Sequence, residues 1–542
     1  MSSKKSSFLV QGSILALAGI LVRIIGIIYR VPLNSILGDE GIGYYSIAFD
    51  VYSLFLLISS MSMPVAVSKI VSERVAKGRL KNAYRAFIGA IVFGCVIGTI
   101  VFLIVFFGAE AFANIWEYPS AALAIKTLAP TLFIMCFLGV LRGFFQGMGT
   151  MMPTAVSQIL EQVVNAIVSI AAAAILFKIG SKSGNAGAYS AAGGTIGTGA
   201  GALTALLFMI FVFVIYKPVY AKRIKRFNRG RDESYERLTK VLIITILPVL
   251  LSTTVYNIGS ILDSGIFGKV MSNAFEIKES VYSALWGIYS GKFKLLTTAP
   301  IAISSALATA IIPSLVRSYT NGNKYEIKGK IDSTIKLSML IAIPSGAGLS
   351  VLGMPIVSLL FRSTTDEELC SKIMMFSFFT VVFYSVSTIT NSVLQGINRM
   401  RIPVINASIS LIIHIPLLII LLRVFKLSVY SVVIADFIFA LIVCILNNIA
   451  LKKHINYTID YVNVFIKPVI CAGIMSVITL AVYKFLMAII GINAIAVLLA
   501  IIVAIIVYFF TLLLLKGITE EELYMIPKGY KLVNLLKKFG ML

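Results

Sequence analysis

Arg23 and Arg30 stand seven residues apart in the run FLVQGSILALAGILVRIIGIIYRVPLNSILG. Seven residues are two turns of helix, so both side chains share one face. A guanidinium carried into hydrocarbon costs about 2.5–3.5 kcal/mol on insertion scales, so its retention asks for a purpose. Its planar fork donates to two oxygens at once, which suits phosphate-type anions. Arg23 lies deeper and reads as a cavity residue. Arg30 has two open readings, the same cavity or snorkelling to the interface. A second polar set lies in RGFFQGMGTMMPTAVSQILEQVVN, residues 142–165, where Gln158, Glu161, Gln162 and Asn165 fall at i, i+3, i+4 and i+7. Three amides and a carboxylate on one helix face could bind hydroxyl-rich groups, balance charge, or simply pack. Asp50 and Glu161 are expected to be buried carboxylates that pair with the arginines or take a proton or cation. Lys292 and Lys294 precede Pro300 in YSGKFKLLTTAPIAI. On a regular helix residues i and i+2 cannot face one cavity, so one lysine is expected to snorkel.

These residues sit in a chain built for lipid. Of 542 residues 59% are hydrophobic and only 13% charged, with mean hydropathy +0.96, against about a quarter charged in soluble domains. Apolar stretches of about 20 residues recur throughout, each able to cross a hydrocarbon core of about 30 Å. The fold expected is all-α and polytopic. The start of the chain, with Lys4 and Lys5 before the apolar run, superficially resembles a signal peptide. The run continues to Pro32 without a convincing cleavage site, so it reads as a retained first helix. The five cysteines lie in or beside apolar spans without CxxC spacing and read as packing residues. His414, on an apolar span, reads as a hydrogen-bonded packing residue, and His454 falls in a loop. The glycines of GGTIGTGAGA (193–202) point to close helix packing. A net charge of +24 would suggest nucleic acid in a soluble domain, but here the cations lie between spans.

About fourteen spans are expected, each near the length a bilayer requires: 8–36, 44–66, 83–108, 121–145, 152–177, 187–216, 240–268, 293–316, 333–360, 371–396, 402–423, 428–451, 461–487 and 491–516. With both termini in the cytoplasm, roughly two thirds of the Lys and Arg fall in cytoplasmic loops and tails, as the positive-inside rule requires. The basic stretch KPVYAKRIKRFNRGRDESYERLTK separates six spans from six. It reads as a topology anchor that also touches anionic lipid. The expected organisation is an N-lobe (1–216), a basic linker (217–239), a C-lobe (240–451), and two further spans with a cytoplasmic tail (452–542).

The halves resemble one another. FFQGMGTMMPTA (144–155) matches VLQGINRMRIPVI (393–405), and SKIVSERVAKGRLKNA (68–83) loosely matches PSLVRSYTNGNKYEI (313–327). Two six-span halves of equal orientation form a parallel repeat, an arrangement that in transporters places substrate at the repeat interface. The second copy continues INASISLIIHIPLL and loses most of the polar face, which weights the cavity chemistry towards the first half.

Four stretches, VRIIGIIYRVPLNSILGDEGIGYY (22–45), MPVAVSKIVSE (63–73), RGFFQGMGTMMPTAVSQILEQVVN (142–165) and LQGINRMRIPV (394–404), resemble the MOP superfamily of lipid-linked oligosaccharide flippases. Within it the chain looks like the YtgP/SpoVB-like branch, which belongs with the MurJ-type lipid II flippases. The resemblance covers nearly the whole chain. It implies fourteen spans in a twelve-plus-two arrangement, a cationic central cavity, and a groove formed by the last two helices for a lipid tail. It implies export of an undecaprenyl-pyrophosphate-linked sugar, most plausibly lipid II for peptidoglycan, across a bacterial plasma membrane. The family's first-span arginine matches Arg23 before Gly26, whereas its second is displaced by one residue from Arg30. Near Lys292 and Lys294 the MurJ type carries an arginine and an acid, and here Thr298 is the nearest polar substitute. Asp263, in YNIGSILDSGIFG, lies where some relatives have a sodium-binding carboxylate. They complete it from the eleventh span, where this chain offers Asn406 and Ser410. Serine is the poorer cation ligand. Asp436 reads either as a packing anchor or as part of an ion site.

No Walker motif is present, so the drive expected is membrane potential, a proton or sodium rather than ATP. No cofactor, metal centre or nucleic acid partner is expected, and a monomer is compatible with the sequence. Flippases for other envelope polymers or for spore-cortex precursors, and cation-coupled multidrug exporters, remain alternatives. An enzyme would need acidic catalytic residues and a sizeable outer loop, and neither is evident.

Overall fold

The computed structural model describes residues 2–57, 63–227, 232–361, 364–518 and 530. Side chains 1–13, which include Lys4 and Lys5, and the linker positions 228–231 lie outside the described residues. So do side chains 247–257 and, Tyr530 apart, the tail beyond 518. Among the described residues the protein is helical and contains no strand. Among the described residues twelve helices are long and apolar enough to span a bilayer. The first, Leu17–Leu56, holds the two expected opening spans, because the backbone leaves helical geometry at Gly38 (φ 66°, ψ 175°). The expected seventh span lies in a further helix, Tyr235–Asn273. The chain is a multi-pass membrane protein.

Two compact units are formed, Met1–Gly287 and Ile288–Leu542. The first contains α1 (Ser2–Leu56), α2 (Met63–Ala76), α3 (Leu80–Ile115), α4 (Ala122–Gly147), α5 (Met152–Lys182), α6 (Ala186–Phe227), α7 (Tyr235–Asn273) and α8 (Glu279–Gly287). The second opens with a π-helical turn, Ile288–Phe293, and continues through α9 (Lys294–Thr320), α10 (Lys324–Leu360), α11 (Glu367–Met374), α12 (Ser377–Gly396) and α13 (Arg401–Arg423). It ends with α14 (Val429–Ile455), a π turn at Val462–Ile466, α15 (Lys467–Ile490) and α16 (Asn493–Leu514). The packing division thus falls after α7 and α8, later in the chain than the basic linker.

Within the first unit α2, α3, α4 and α6 converge on an aromatic cluster. Phe87 lies 4.6 Å from Phe144 and 5.0 Å from Phe213, ring centre to ring centre. Tyr220 joins them and donates its hydroxyl to the Leu80 carbonyl at 2.9 Å. Each buried ring removes 150–250 Å² from lipid or water, so a few of them anchor four helices. In the second unit α15 and α16 pack on each other and on α10. Asn493 donates to the Pro355 carbonyl at 3.0 Å, and Tyr457 donates to Asp332 at 2.7 Å. Outward faces of α16 stay apolar, with Ile502, Ile505 and Ile506 exposed, as lipid contact requires.

The internal repeat is written into the backbone of each unit. After QG, Gly149 takes φ 82° and Asn398 takes φ 61°. Both close the same turn, with amides returning to Gln146 and Phe145 in one unit and to Gln395 and Leu394 in the other. Earlier, Gly78 and Gly322 both have φ 70°. Only Gly, and less readily Asn, enters this region without steric penalty, so the loose sequence match carries a conformational identity.

Candidate functional site

In the first unit the polar stripe of α5 faces two different neighbours. Glu161, for which pairing with Arg23 or Arg30 was one of the roles expected from sequence, pairs with a different arginine. Its carboxylate accepts from Arg142 Nη2 at 2.7 Å, and the same guanidinium donates through Nε to Ser157 Oγ at 2.9 Å. Arg142 is the first residue of the motif and lies near the end of α4, with only 8% of its surface exposed. Its side chain therefore staples α4 to α5 across the intervening turn. The pairing escaped the sequence because the partners are 15 and 19 residues apart, spacings no single-helix period links.

The rest of the stripe meets α1. Gln162 approaches Gly26 so closely that a Cβ there would lie 3.2 Å from Nε2. One turn further, Asn165 Nδ2 donates to the Tyr29 hydroxyl at 3.4 Å, and Arg30 hydrogen-bonds to that same Tyr29 within electrostatic reach of Tyr45. Arg23 and Arg30 are both surface-accessible, Gln158 is half-buried, and among the described residues neither arginine forms an ion pair. Asp50, half-buried on the second part of α1, lies within electrostatic reach of the Tyr118 hydroxyl. Asp263 on α7 is buried.

Behind the stripe runs the glycine seam of α6. A Cβ on Gly197 would stand 2.1 Å from Ser169 Oγ and 2.4 Å from Ser169 N, and one on Gly201 would stand 2.4 Å from the Glu161 carbonyl. The seam brings the α6 backbone into contact with the helix that carries Glu161 and Asn165. Ser169 Oγ shares its proton between Asn165 Oδ1 at 2.9 Å and the Gly194 carbonyl at 2.7 Å. Small residues that let two helices touch also fix the rotation of α5, and hence where its polar face points.

The second unit carries a different polar set. Ile288–Phe293 is a π turn, so the regular-helix argument that separated Lys292 from Lys294 does not apply. Lys292 is buried, at 2% exposure, with Nζ 6.0 Å from the centre of the Phe361 ring. Lys294 is half-buried, with Nζ 5.7 Å from the Tyr289 ring. Thr298 donates to the Lys294 carbonyl. Asp436 accepts from the hydroxyl of Tyr289 at 3.2 Å and from that of Tyr384, two phenols the sequence did not single out. Asn406 donates to Asn447 Oδ1 at 2.8 Å, and Asn447 donates to Asn391 Oδ1 at 2.7 Å and to Thr390 at 3.0 Å. Ser410 donates to the Asn406 carbonyl of its own helix at 2.9 Å. His414 donates through Nδ1 to the Ala435 carbonyl at 3.0 Å and meets the Phe439 ring edge-on, the packing role its setting implied.

Comparison with known proteins agrees with this architecture. Residues 9–319 match the model of the family described as polysaccharide biosynthesis protein, and residues 287–420 match the MatE family. The chain is 25% identical over 465 residues to the lipid II flippase MurJ of Bacillus subtilis (strain 168), covering 84% of each protein. It is 24% identical to stage V sporulation protein B of the same organism, covering 88% of this chain and 90% of that one. Among solved structures, a lipid II flippase MurJ in an inward closed conformation superposes with TM-score 0.62 at 17% identity, over 92% of this chain and 97% of that one. An inward-facing multidrug resistance MATE family transporter of the MOP superfamily gives TM-score 0.66 at 13% identity, over 80% and 94%. Where the names of these relatives state an activity, it is that of a flippase or a transporter rather than of an enzyme. A family match over residues 9–319, more than half of its length, places this chain in the polysaccharide biosynthesis protein family.

Proposed function

We propose that the protein is a flippase that moves an undecaprenyl-pyrophosphate-linked sugar precursor, lipid II for peptidoglycan synthesis, from the inner to the outer leaflet by alternating access. The observation that carries this reading is the α1–α5 face. Arg23 and Arg30 sit on a membrane helix without ion pairs among the described residues, and Asn165 and Gln162 lie beside the same helix. Two unneutralised guanidiniums suit a pyrophosphate, and flanking amides suit sugar hydroxyls. Lys292 and Lys294 add cations in the second unit. The likeness to the lipid II flippase MurJ of B. subtilis supports the substrate class. The termini are assigned to the cytoplasm on the distribution of Lys and Arg. Membrane potential biases the cycle, at about 2.3 kcal/mol per charge per 100 mV, with a proton or sodium ion as the coupling candidate at the carboxylates Asp50 and Asp263.

The test is depletion of the protein in a strain without a redundant flippase, with lipid II counted at the outer leaflet. Loss of surface lipid II, restored by wild type but not by Arg23→Ala or Arg30→Ala protein that still inserts normally, is the expected result. Undiminished surface lipid II after depletion refutes the substrate assignment and moves the reading to another envelope polymer.

A further inference from the structure

We infer that Arg142 is a positioning residue for the anion site: by holding Glu161 it stops that carboxylate from cancelling the positive charge of Arg23 and Arg30. The inference rests on the reading of the α1–α5 face as a pyrophosphate site. Glu161 is the acid of that face. It lies one helical turn, about 6 Å of rise, from Asn165, which touches Tyr29, which in turn touches Arg30. A carboxylate so placed would be drawn to the nearest free cation. The Nη2 contact at 2.7 Å and the Nε bond to Ser157 at 2.9 Å fix the guanidinium so that it engages Glu161 from the α4 side. Ser157 is itself held, donating to the Thr154 carbonyl at 2.8 Å.

The repeat offers an internal control. Arg142 stands four residues before Gln146, and Asn391 stands four residues before Gln395. Aligned on Pro153 and Pro403, the position of Glu161 is taken by Leu411. The second unit has lost the acid and the arginine together, and Asn391 bonds to the neutral amide of Asn447 instead. A scaffold that needed a cation merely to join these two helices would have kept it in both copies. The arginine is present where there is an acid to restrain.

The experiment uses full-length protein in lipid nanodiscs and undecaprenyl pyrophosphate as probe, with uncharged undecaprenol as reference. Arg142→Gln is expected to weaken pyrophosphate-dependent binding about tenfold, the order of effect of one uncompensated unit charge near the anion at an effective dielectric near 20. Arg142→Lys retains most of the binding, and Arg142→Gln/Glu161→Gln restores it to within about twofold of wild type, since removing the acid removes the need for restraint. A double variant as weak as Arg142→Gln, or an Arg142→Gln protein that binds like wild type, overturns the inference. If Arg142→Gln alone does not fold, the reversed pair Arg142→Glu/Glu161→Arg carries the test: binding close to wild type supports it and lost binding refutes it. Failure of the underlying reading shows separately, as wild-type protein that binds the pyrophosphate no better than undecaprenol.

Discussion

Replacing Gly197 by alanine tests whether the α5–α6 seam positions the polar face. The added Cβ would lie 2.1 Å from Ser169 Oγ, 2.4 Å from Ser169 N and 2.7 Å from the Asn165 carbonyl. The hydroxyl can rotate away, but the other two atoms are backbone. Ordinary contact needs about 3.4 Å, so the helices must part by about 1 Å along the seam. Overpacking of this kind costs about 1–3 kcal/mol, and the better helix propensity of alanine returns about 0.8–1.0 of that. A net loss of up to about 2 kcal/mol follows, together with displacement of Asn165 from Tyr29. The buried thiols Cys136, Cys370 and Cys471 provide the assay, because they label only as the protein unfolds. Labelling against temperature should shift downward for Gly197→Ala. It should be unchanged or slightly raised for Gly473→Ala, where a Cβ meets nothing within 4 Å. Gly197→Ala protein with unaltered midpoint and unaltered surface lipid II would refute the claim that close approach sets the rotation of α5.

Two further expectations concern turns and the linker. Alanine at Gly149, which has φ 82°, should destabilise by about 1–2 kcal/mol, whereas Asn398→Gly at φ 61° should be neutral within a few tenths; thermal midpoints of the two variants decide. Asp232 accepts from Lys81 at 2.6 Å and lies 3.3 Å from Arg85, and the Lys81 hydrogen bond, aided by both positive charges, holds its carboxyl below the ordinary range. A depressed carboxyl stabilises above its unfolded value and loses that contribution as pH falls through the folded one. Protease nicking at the linker should thus be flat from pH 7 to pH 5 and rise only at stronger acidity. Asp232→Asn should show the raised nicking already at pH 7.

Much of this architecture was legible because lipid imposes strong rules. Span length and the absence of charge announce helices directly, and the QG-to-Pro match marked a repeat whose turn geometry the backbone shares at Gly149 and Asn398. Gly197 and Gly201 likewise read correctly, since small residues four apart leave few explanations other than close approach. What the sequence concealed was partnership. Arg142 lies near a helix end, where cations are common, and its mate lies across a turn. The π turn before Lys294 was invisible because nothing in its composition distinguishes it from α-helix. Tyr289 and Tyr384 were passed over because a tyrosine in an apolar span reads as bulk until a carboxylate such as Asp436 is found against its hydroxyl.

The two units also show how one scaffold can hold different charge. In the first, the tie between α4 and α5 is an ion pair, Arg142 to Glu161. In the second, the corresponding arm is Asn391, and the tie runs through Asn447 to Asn406 in a chain of neutral amides. Both arrangements satisfy buried polar groups, so packing alone does not choose between them. A largely buried ion pair is the more hazardous choice, since losing either member strands a charge. Its presence only where α1 carries Arg23 and Arg30 argues that the acid on α5 has a use beyond joining helices. On the proposed reading, a carboxylate held by Arg142 leaves Arg23 and Arg30 free for an anion, and the charge balance of the face is set by that one ion pair.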